Sequence, residues 1–223
     1  MDMQADRVYF IRISQNDSAE LYYRRIKMEL EQYKHIEIRE VYADIWDFYS
    51  CLEKFREIIF KERKNQIFIN VSTGTKITAI AGMLSCMLWD ANPYYARVKY
   101  EEPKKIEQLP TEDVSLPNEL PVYDINKPDN DIMVAIKILE KNNRRMNKRR
   151  LIAKLEEENV IKPINVEKKK FSSAAKHSQL RSILQEMENV WKYVEVSGSG
   201  IGSEVVLTEQ GSNALRIFGC REP

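Results

Sequence analysis

A short run of hydroxyl side chains that ends in a lysine is the segment of this sequence best suited to hold an anion. Hydroxyl donors come from Ser72, Thr73 and Thr75. Gly74 permits close approach of the backbone, and Lys76 adds a positive charge. The run precedes a predicted helix, whose first N–H groups are unpaired and attract phosphate. Ser and Thr also cap helices simply to satisfy those N–H groups, so anion binding and plain capping are equal alternatives.

A second polar loop is expected to face the first. It follows the first predicted strand and precedes the first predicted helix. In a doubly wound parallel sheet, ligands bind beyond the carboxyl ends of the strands, at the point where the winding direction reverses. If the strand order begins 2-1-3, this point lies between the first and third strands, where both loops emerge. The predicted ligand-binding residues are Ser14, Gln15, Asn16, Ser72, Thr73, Gly74, Thr75 and Lys76.

Several other classes of site are not supported. A Walker A motif needs a lysine directly after its last glycine, but Thr75 separates Gly74 from Lys76. No G-x-G-x-x-G fingerprint follows the first strand, so NAD chemistry is not expected either. The three cysteines are far apart and there are only two histidines, which argues against a disulfide framework and against a metal site.

The elements that must position the two loops alternate between strand and helix over residues 1–102. Apolar alternation and short apolar runs predict the strands, and apolar residues at three- and four-residue steps predict the helices. The predicted strands are 7–13, 36–42, 66–71 and 94–100, and the predicted helices are about 17–34, 45–59 and 77–89. The last helix is apolar nearly all round and should be buried on most sides. This order predicts a Rossmann-like, doubly wound parallel α/β sheet covered by helices on both faces.

Charge is nearly balanced over the whole chain, with 35 Lys+Arg against 34 Asp+Glu, yet it is unevenly distributed. Residues 1–128 hold 18 basic and 21 acidic residues, whereas residues 129–223 hold 17 and 13. Within the second part, residues 137–181 alone hold 14 basic and 5 acidic residues. Such asymmetry points to a nucleic-acid contact. Prolines concentrate where the balance changes, and residues 103–128 are predicted to form a connector between two domains.

Residues 129–223 follow a different pattern from the first domain. Three helices are predicted first, then two strands joined by a glycine-rich tip, and then a last helix. The predicted helices are about 129–141, 148–158, 172–189 and 208–218, and the strands are 191–196 and 204–207. Three helices followed by a β-hairpin are the order of a winged helix-turn-helix domain.

A winged helix-turn-helix domain inserts its third helix into the major groove of DNA. Gln can read adenine there, and Arg or Lys can read guanine. The predicted outward residues of that helix are Ser173, Lys176, His177, Gln179 and Arg181. Phosphate or backbone contacts are predicted at Arg149, Arg150, Lys168, Lys169, Lys170 and Gly200. A solvated charged face is the other explanation of each basic run, but their coincidence with this helix order favours DNA binding.

The stretch from Asn70 to Ile80, in a compact Rossmann-like domain followed by a winged helix, resembles the archaeal CRISPR-associated Rossmann-fold (CARF) transcriptional regulators. The resemblance covers nearly the whole chain, and residues 72–76 are its most specific part. It implies a homodimer that binds cyclic tetra- or hexa-adenylate across its two-fold axis, over residues 14–18 and 72–76, with no other cofactor. An isologous dimer supplies two copies of one phosphate-binding loop to such a ring. Paired winged helices would match a palindromic promoter site.

We therefore expect a ligand-responsive transcriptional regulator rather than an enzyme. One alternative is a metal-independent ring nuclease that cleaves cyclic oligoadenylate, in which Lys76 would stabilise the developing phosphate charge. No catalytic residue is predicted, because the two loops contain no histidine or paired carboxylates to act as a base. A further alternative is a constitutive dimeric DNA-binding protein without a ligand. No apolar run reaches the ~18 residues of a membrane helix and no signal pattern is present, so a cytoplasmic protein is expected.

Overall fold

A computed structural model of the chain describes residues 5–13, 19–96, 118–162, 173–198, 200 and 202–219. The chain divides into two compact units, Met1–Ile125 and Asn126–Pro223. The predicted connector 103–128 lies outside the described residues up to position 117. None of the described helices is both long enough and apolar enough to cross a membrane.

The first unit is mixed α/β, and its strands and helices alternate as the sequence predicts. The elements are β1 (Arg7–Arg12), α1 (Glu20–Leu30), β2 (Glu37–Tyr42), α2 (Phe48–Lys61), β3 (Phe68–Asn70), α3 (Lys76–Trp89), β4 (Asn92–Tyr95) and β5 (Asn118–Glu119). Most are shorter than predicted, and β5 was not predicted. The helix predicted from residue 45 begins at Phe48, because Asp47 caps it by accepting the N–H of Ser50 at 2.6 Å.

Strand pairing in this unit differs from the prediction. β1 pairs in parallel with β2, while β3 pairs in parallel with β4, which in turn pairs antiparallel with β5. Among the described residues no ladder joins β1 to β3, so these strands stand in two small sheets, and the expected 2-1-3 order and single doubly wound sheet are not shown. β3 offers few backbone groups for a second ladder because it is only three residues long. Asn70 ends it by turning its side chain back onto the N–H of Ser72.

Helices α2 and α3 pack on β3 around a small apolar cluster. Gly82 lies at their closest approach, where an added Cβ would be 3.1 Å from Ile69 and 3.3 Å from Phe55. The prediction that α3 is buried on most sides is wrong for its first turns, because Ile80 is 61% exposed. The buried members of the cluster are Ile59, Ile69, Cys86 and Ala91.

Ionic contacts tie the first strand pair to α2. Glu62 at the end of α2 is buried, and its carboxylate accepts the Tyr9 hydroxyl at 2.6 Å. Arg7 pairs with the same carboxylate, and Arg39 lies 3.5 Å from it. The pKa of Glu62 is lowered, mainly by the Tyr9 hydrogen bond. Charge pairs therefore connect β1 and β2 to the end of α2.

The second unit contains every helix and strand predicted for it, with one additional strand, β6. The elements are α4 (Asn130–Lys141), β6 (Arg145–Asn147), α5 (Lys148–Glu157), α6 (Ser173–Gln185), a π-helical turn (Glu186–Val190), β7 (Val194–Ser197), β8 (Glu204–Leu207) and α7 (Glu209–Phe218). The three strands form an antiparallel sheet in the order β6-β8-β7. Three residues that include a charged one are too short a pattern to predict β6.

Candidate functional site

The loop from Ser72 to Lys76 is held by its own hydrogen bonds. Asn70 Oδ1 accepts the N–H of Ser72 at 2.9 Å and its hydroxyl at 2.5 Å. Gly74 has a φ of +84°, and an added Cβ would lie 2.6 Å from Thr78 Oγ1. Glycine is required there for both reasons. Exposed positions in this loop are Thr73, Gly74 and Lys76.

Thr75 joins this loop to a neighbouring one. Its Oγ1 accepts the N–H of Thr78 at 3.0 Å, which makes it the N-cap of α3. The same hydroxyl donates to the carbonyl of Ile45 at 2.9 Å. Capping, one of the two alternatives, is thus confirmed for Thr75. Its hydroxyl is already committed, so an anion would meet the exposed residues on either side of it.

The loop contacted by Thr75 carries an exposed tryptophan that sequence reasoning missed. Trp46 is 68% exposed, and its backbone N–H donates to Asp44 Oδ1 at 3.0 Å. The Asp44 N–H donates to Ser50 Oγ at 3.0 Å, so this loop is fixed to the start of α2. An exposed tryptophan on a hydrogen-bonded loop can stack on a nucleic-acid base. The sequence carries no signal for this exposure, because Trp46 sits beside Ile45 in what reads as an apolar helix face.

The other predicted ligand residues, Ser14, Gln15 and Asn16, lie outside the described residues. The strand that precedes them ends at Arg12, whose side chain is only 7% exposed. Arg12 forms ion pairs with Glu20 and Glu40, and its guanidinium lies 3.8 Å from the centre of the Tyr23 ring. The Tyr23 hydroxyl donates to Glu40, which is the main reason that the pKa of Glu40 is lowered to about 2. This network fixes α1 to the carboxyl end of the β1–β2 pair.

In the second unit, exposure along α6 identifies the face that it turns to solvent. Leu180 and Leu184 are buried, as is Met187 in the π-helical turn. Their spacing of four and three residues sets the phase of the helix. The exposed residues recur at the same period on the opposite side, and we call them the outer stripe of α6. The outer stripe consists of Ala174, Ser178, Arg181, Ser182 and Gln185.

Of the DNA contacts predicted on this helix whose exposure the structure describes, only Arg181 lies on the outer stripe. Lys176 and Gln179, which were predicted to point outward, are half-buried and have partners within the domain. Lys176 forms an ion pair with Glu156 of α5. The Gln179 amide accepts the N–H of Lys162 at 3.3 Å and donates to its carbonyl at 3.0 Å. Two further predicted residues are Ser173, which begins α6, and His177, which is half-buried.

The first turn of α5 concentrates positive charge. We call Lys148, Arg149 and Arg150 the basic turn; both arginines are exposed. Asn147 caps this turn by accepting the N–H of Arg150 at 2.8 Å. Within the described part of the chain neither arginine forms an ion pair with a carboxylate. Cations at this end oppose the helix dipole and cost about 0.3–1 kcal/mol each, which a bound anion would offset.

The tip between β7 and β8 is open and uncharged. Gly200 is exposed with a φ of +81°, and an added Cβ would have no neighbour within 4 Å. Its carbonyl accepts the N–H of Ser203 at 3.3 Å and the Ser203 hydroxyl at 2.7 Å. Contacts from Gly200 itself would therefore come from its backbone. The remaining predicted contacts, Lys168, Lys169 and Lys170, fall outside the described ranges.

Both units match known protein-family models. Residues 131–219 match the family model of the DUF6293 C-terminal winged helix domain. The second unit is a winged helix domain. Residues 1–101 match the HFX_2341_N-like, N-terminal family model. No curated protein matches the chain.

Two solved structures show weak overall similarity. Protein VC1899 from Vibrio cholerae has 11% identity and a TM-score of 0.35, over 96% of this chain and 58% of that one. Can2 from Sulfobacillus thermosulfidooxidans, in complex with cyclic tetra-adenylate, has 14% identity and a TM-score of 0.36, over 92% of this chain and 70% of that one. The chain thus spans 58% of the length of the Vibrio protein.

In the winged helix domain, α6 is the third helix and the β7–β8 hairpin is the wing. The π-helical turn that follows α6 holds the two together. Glu188 in this turn accepts the N–H of Val196 on β7 at 3.1 Å. The indole N–H of Trp191 donates to Glu186 at 3.2 Å, and its ring stacks on Tyr193 with centroids 5.6 Å apart. The third helix and the wing therefore form one rigid piece.

Proposed function

We propose that this protein binds double-stranded DNA through its winged helix domain. The observation that carries the proposal is the basic turn of α5. Its two exposed arginines, Arg149 and Arg150, stand where the helix dipole disfavours them, an arrangement that phosphate would stabilise. The outer stripe of α6 offers short polar side chains and Arg181 for entry into the major groove. Backbone groups around Gly200 are suited to contact the adjacent phosphates.

Binding to promoter DNA tests this proposal. The affinity of the whole protein for duplex DNA is measured over a range of salt concentrations. Each phosphate neutralised steepens the dependence of log affinity on log salt by about 0.9, so a steep fall with salt is expected. A flat dependence, or no binding at low salt, would refute the proposal. A palindromic site bound by two copies of the chain would agree with a homodimer.

We further propose that the first unit is a Rossmann-like sensor domain of the CARF type, which binds a cyclic oligoadenylate and adjusts DNA binding. The exposed residues Thr73, Gly74 and Lys76 at the start of α3 favour this role, because they offer a hydroxyl, an accessible backbone and a charge to phosphate. Trp46 stands on the adjoining loop, which is fixed by the hydrogen bond from Thr75. A surface suited to bind phosphate, beside an exposed indole that can stack on a base, suits a nucleotide ligand.

Calorimetry with cyclic tetra- and hexa-adenylate tests the sensor. We expect heat with one of the two rings for the wild type, and a much smaller heat for Lys76→Ala and for Trp46→Ala. Tyr33→Ala removes an exposed aromatic side chain after α1 and serves as the control. No heat with either ring would leave a constitutive DNA-binding protein. Linear product after incubation would instead favour a ring nuclease.

Regulation requires that the two binding events be coupled. The ligand should change the affinity for DNA by some factor, and DNA should change the affinity for the ligand by the same factor. Measuring both factors separates a regulator from a protein that merely holds both ligands. Equal affinity for DNA with and without saturating ligand would refute regulation while leaving both binding activities in place.

A further inference from the structure

We infer that the outer stripe of α6 reads the bases of the DNA site, with Arg181 as its main specificity-determining residue, and that Gln179 is a positioning residue. This inference rests on the proposed DNA-binding function and names the part of the domain that selects the sequence. It differs from the expectation drawn from residue types alone, which favours Gln179 as a reader of adenine.

The phase of α6 limits which side chains can reach a groove. Leu180 and Leu184 are buried in the domain core, so a groove could receive only the opposite side of the helix. That side consists of the outer stripe. A helix enters the major groove with one face only, and the groove is about 12 Å wide. Gln179 and Arg181 both lie about 100° from Leu180, and exposure distinguishes them, because Arg181 is exposed and Gln179 is half-buried.

Gln179 already uses one N–H and one acceptor lone pair of its amide within the domain, and these bonds hold the amide at Lys162. Reading adenine takes one amide acceptor and one amide donor at the same time. Both are engaged with the backbone of Lys162, at 3.3 Å for the acceptor and 3.0 Å for the donor. Lys176, one turn earlier, pairs with Glu156 of α5. These contacts tie the first half of α6 to α5 and to the segment after it, and so set where the outer stripe points.

The outer stripe itself is mostly small. Ala174, Ser178 and Ser182 project little from the helix, so its backbone can approach the base edges closely. A serine hydroxyl can donate or accept, and an alanine methyl can pack against a thymine methyl. Arg181 is the only charged member, and arginine pairs in bidentate fashion with guanine O6 and N7. The stripe thus predicts a guanine at one position of each half-site and weaker preferences beside it.

Selection from a randomised duplex pool, using the whole protein, tests the inference. For Arg181→Ala we expect the preference at one base-pair position to fall by about 5- to 150-fold, with the other positions little changed. For Gln179→Ala we expect the same base preferences as the wild type. Its affinity for every sequence should weaken alike, and its salt dependence should keep the same slope. Thermal melting of each variant checks that it is folded at the assay temperature.

The outcomes separate the two roles. Unchanged preferences in Arg181→Ala, or an altered base preference in Gln179→Ala, would overturn the inference. A uniform loss in Arg181→Ala with a salt slope reduced by about 0.9 would also overturn it, since that marks a phosphate contact. Wild-type protein that binds every duplex equally would overturn the inference but leave DNA binding intact. Failure of the wild type to bind any duplex would refute the proposed function itself.

Discussion

Replacing Arg149 and Arg150 together by glutamine should make the winged helix domain more stable and its DNA binding weaker. Glutamine has nearly the same helix propensity as arginine, so the change removes charge with little effect on the helix itself. Two cations leave the positive end of the α5 dipole, which should raise the free energy of unfolding by about 0.6–2 kcal/mol at low salt. The basic turn is capped by Asn147 through a backbone contact that the substitutions leave in place.

The loss of binding has a defined dependence on salt. If each arginine neutralises one phosphate, the double variant loses about 1.8 from the slope of log affinity against log salt. Between 50 and 200 mM salt, wild-type affinity should then fall about 12-fold more than that of the variant. The assays are fluorescence anisotropy with a labelled duplex across that range, and urea unfolding of the same preparations at low salt.

The control is Lys137→Gln, which removes one exposed charge from the middle of α4, away from any helix end. It should leave both the salt slope and the stability close to wild type. An unchanged slope in the double variant would show that the basic turn does not meet phosphate. Lower stability of the double variant would show that the arginines are held by contacts within the domain, and the dipole argument would fail.

Three further predictions concern stability. Thr75→Ala should lower the free energy of unfolding of the first unit by about 1–3 kcal/mol, because it loses a helix cap and a hydrogen bond. Thr75→Ser keeps both contacts and should lose much less stability. Urea titration of the two variants measures the difference. Glu40 has a pKa lowered to about 2, so its stabilising contribution is present above pH 4.5 and is lost as the pH falls towards 2. Glu40→Gln should flatten the fall of the urea midpoint over that interval. An equally steep fall in the variant would contradict the role of Glu40 in this pH dependence. Gly211→Ala should destabilise the winged helix domain by about 1–3 kcal/mol, because an added Cβ would lie 2.5 Å from the Tyr193 carbonyl, while Gly202→Ala, with open space around it, should leave the melting temperature nearly unchanged.

The helices and most strands follow from local pattern. Helix α5 begins at its predicted residue 148, after the cap Asn147, and α7 begins after the cap Thr208, because a cap is satisfied within its own turn. β8 has the predicted bounds, Glu204–Leu207. The neighbours of a strand depend on segments far along the chain, and for that reason local pattern could not decide whether β1 pairs with β3.

In the candidate sites, too, local pattern predicts some features, while others depend on contacts between distant segments. Residue types between Ser72 and Lys76 indicate both a cap and an anion site, and the structure assigns the cap to Thr75. Its second contact, to Ile45, joins segments thirty residues apart and could not be read from either. Trp46 gives no sequence signal of exposure, since a tryptophan beside apolar residues is usually buried.

The sequence alone determined the kinds and order of the elements other than β5 and β6, the charge difference between the two parts, and the run of hydroxyls before α3. These depend on caps, on periodicity and on composition, which act over a few residues at a time. Only the tertiary structure decided which strands pair, which hydroxyl is committed, and which side of α6 meets solvent. The phase of α6 is set by the burial of Leu180 and Leu184 in a core built by other helices. A shift of one residue in that phase would change which side chains of α6 face solvent, because successive helical residues point 100° apart.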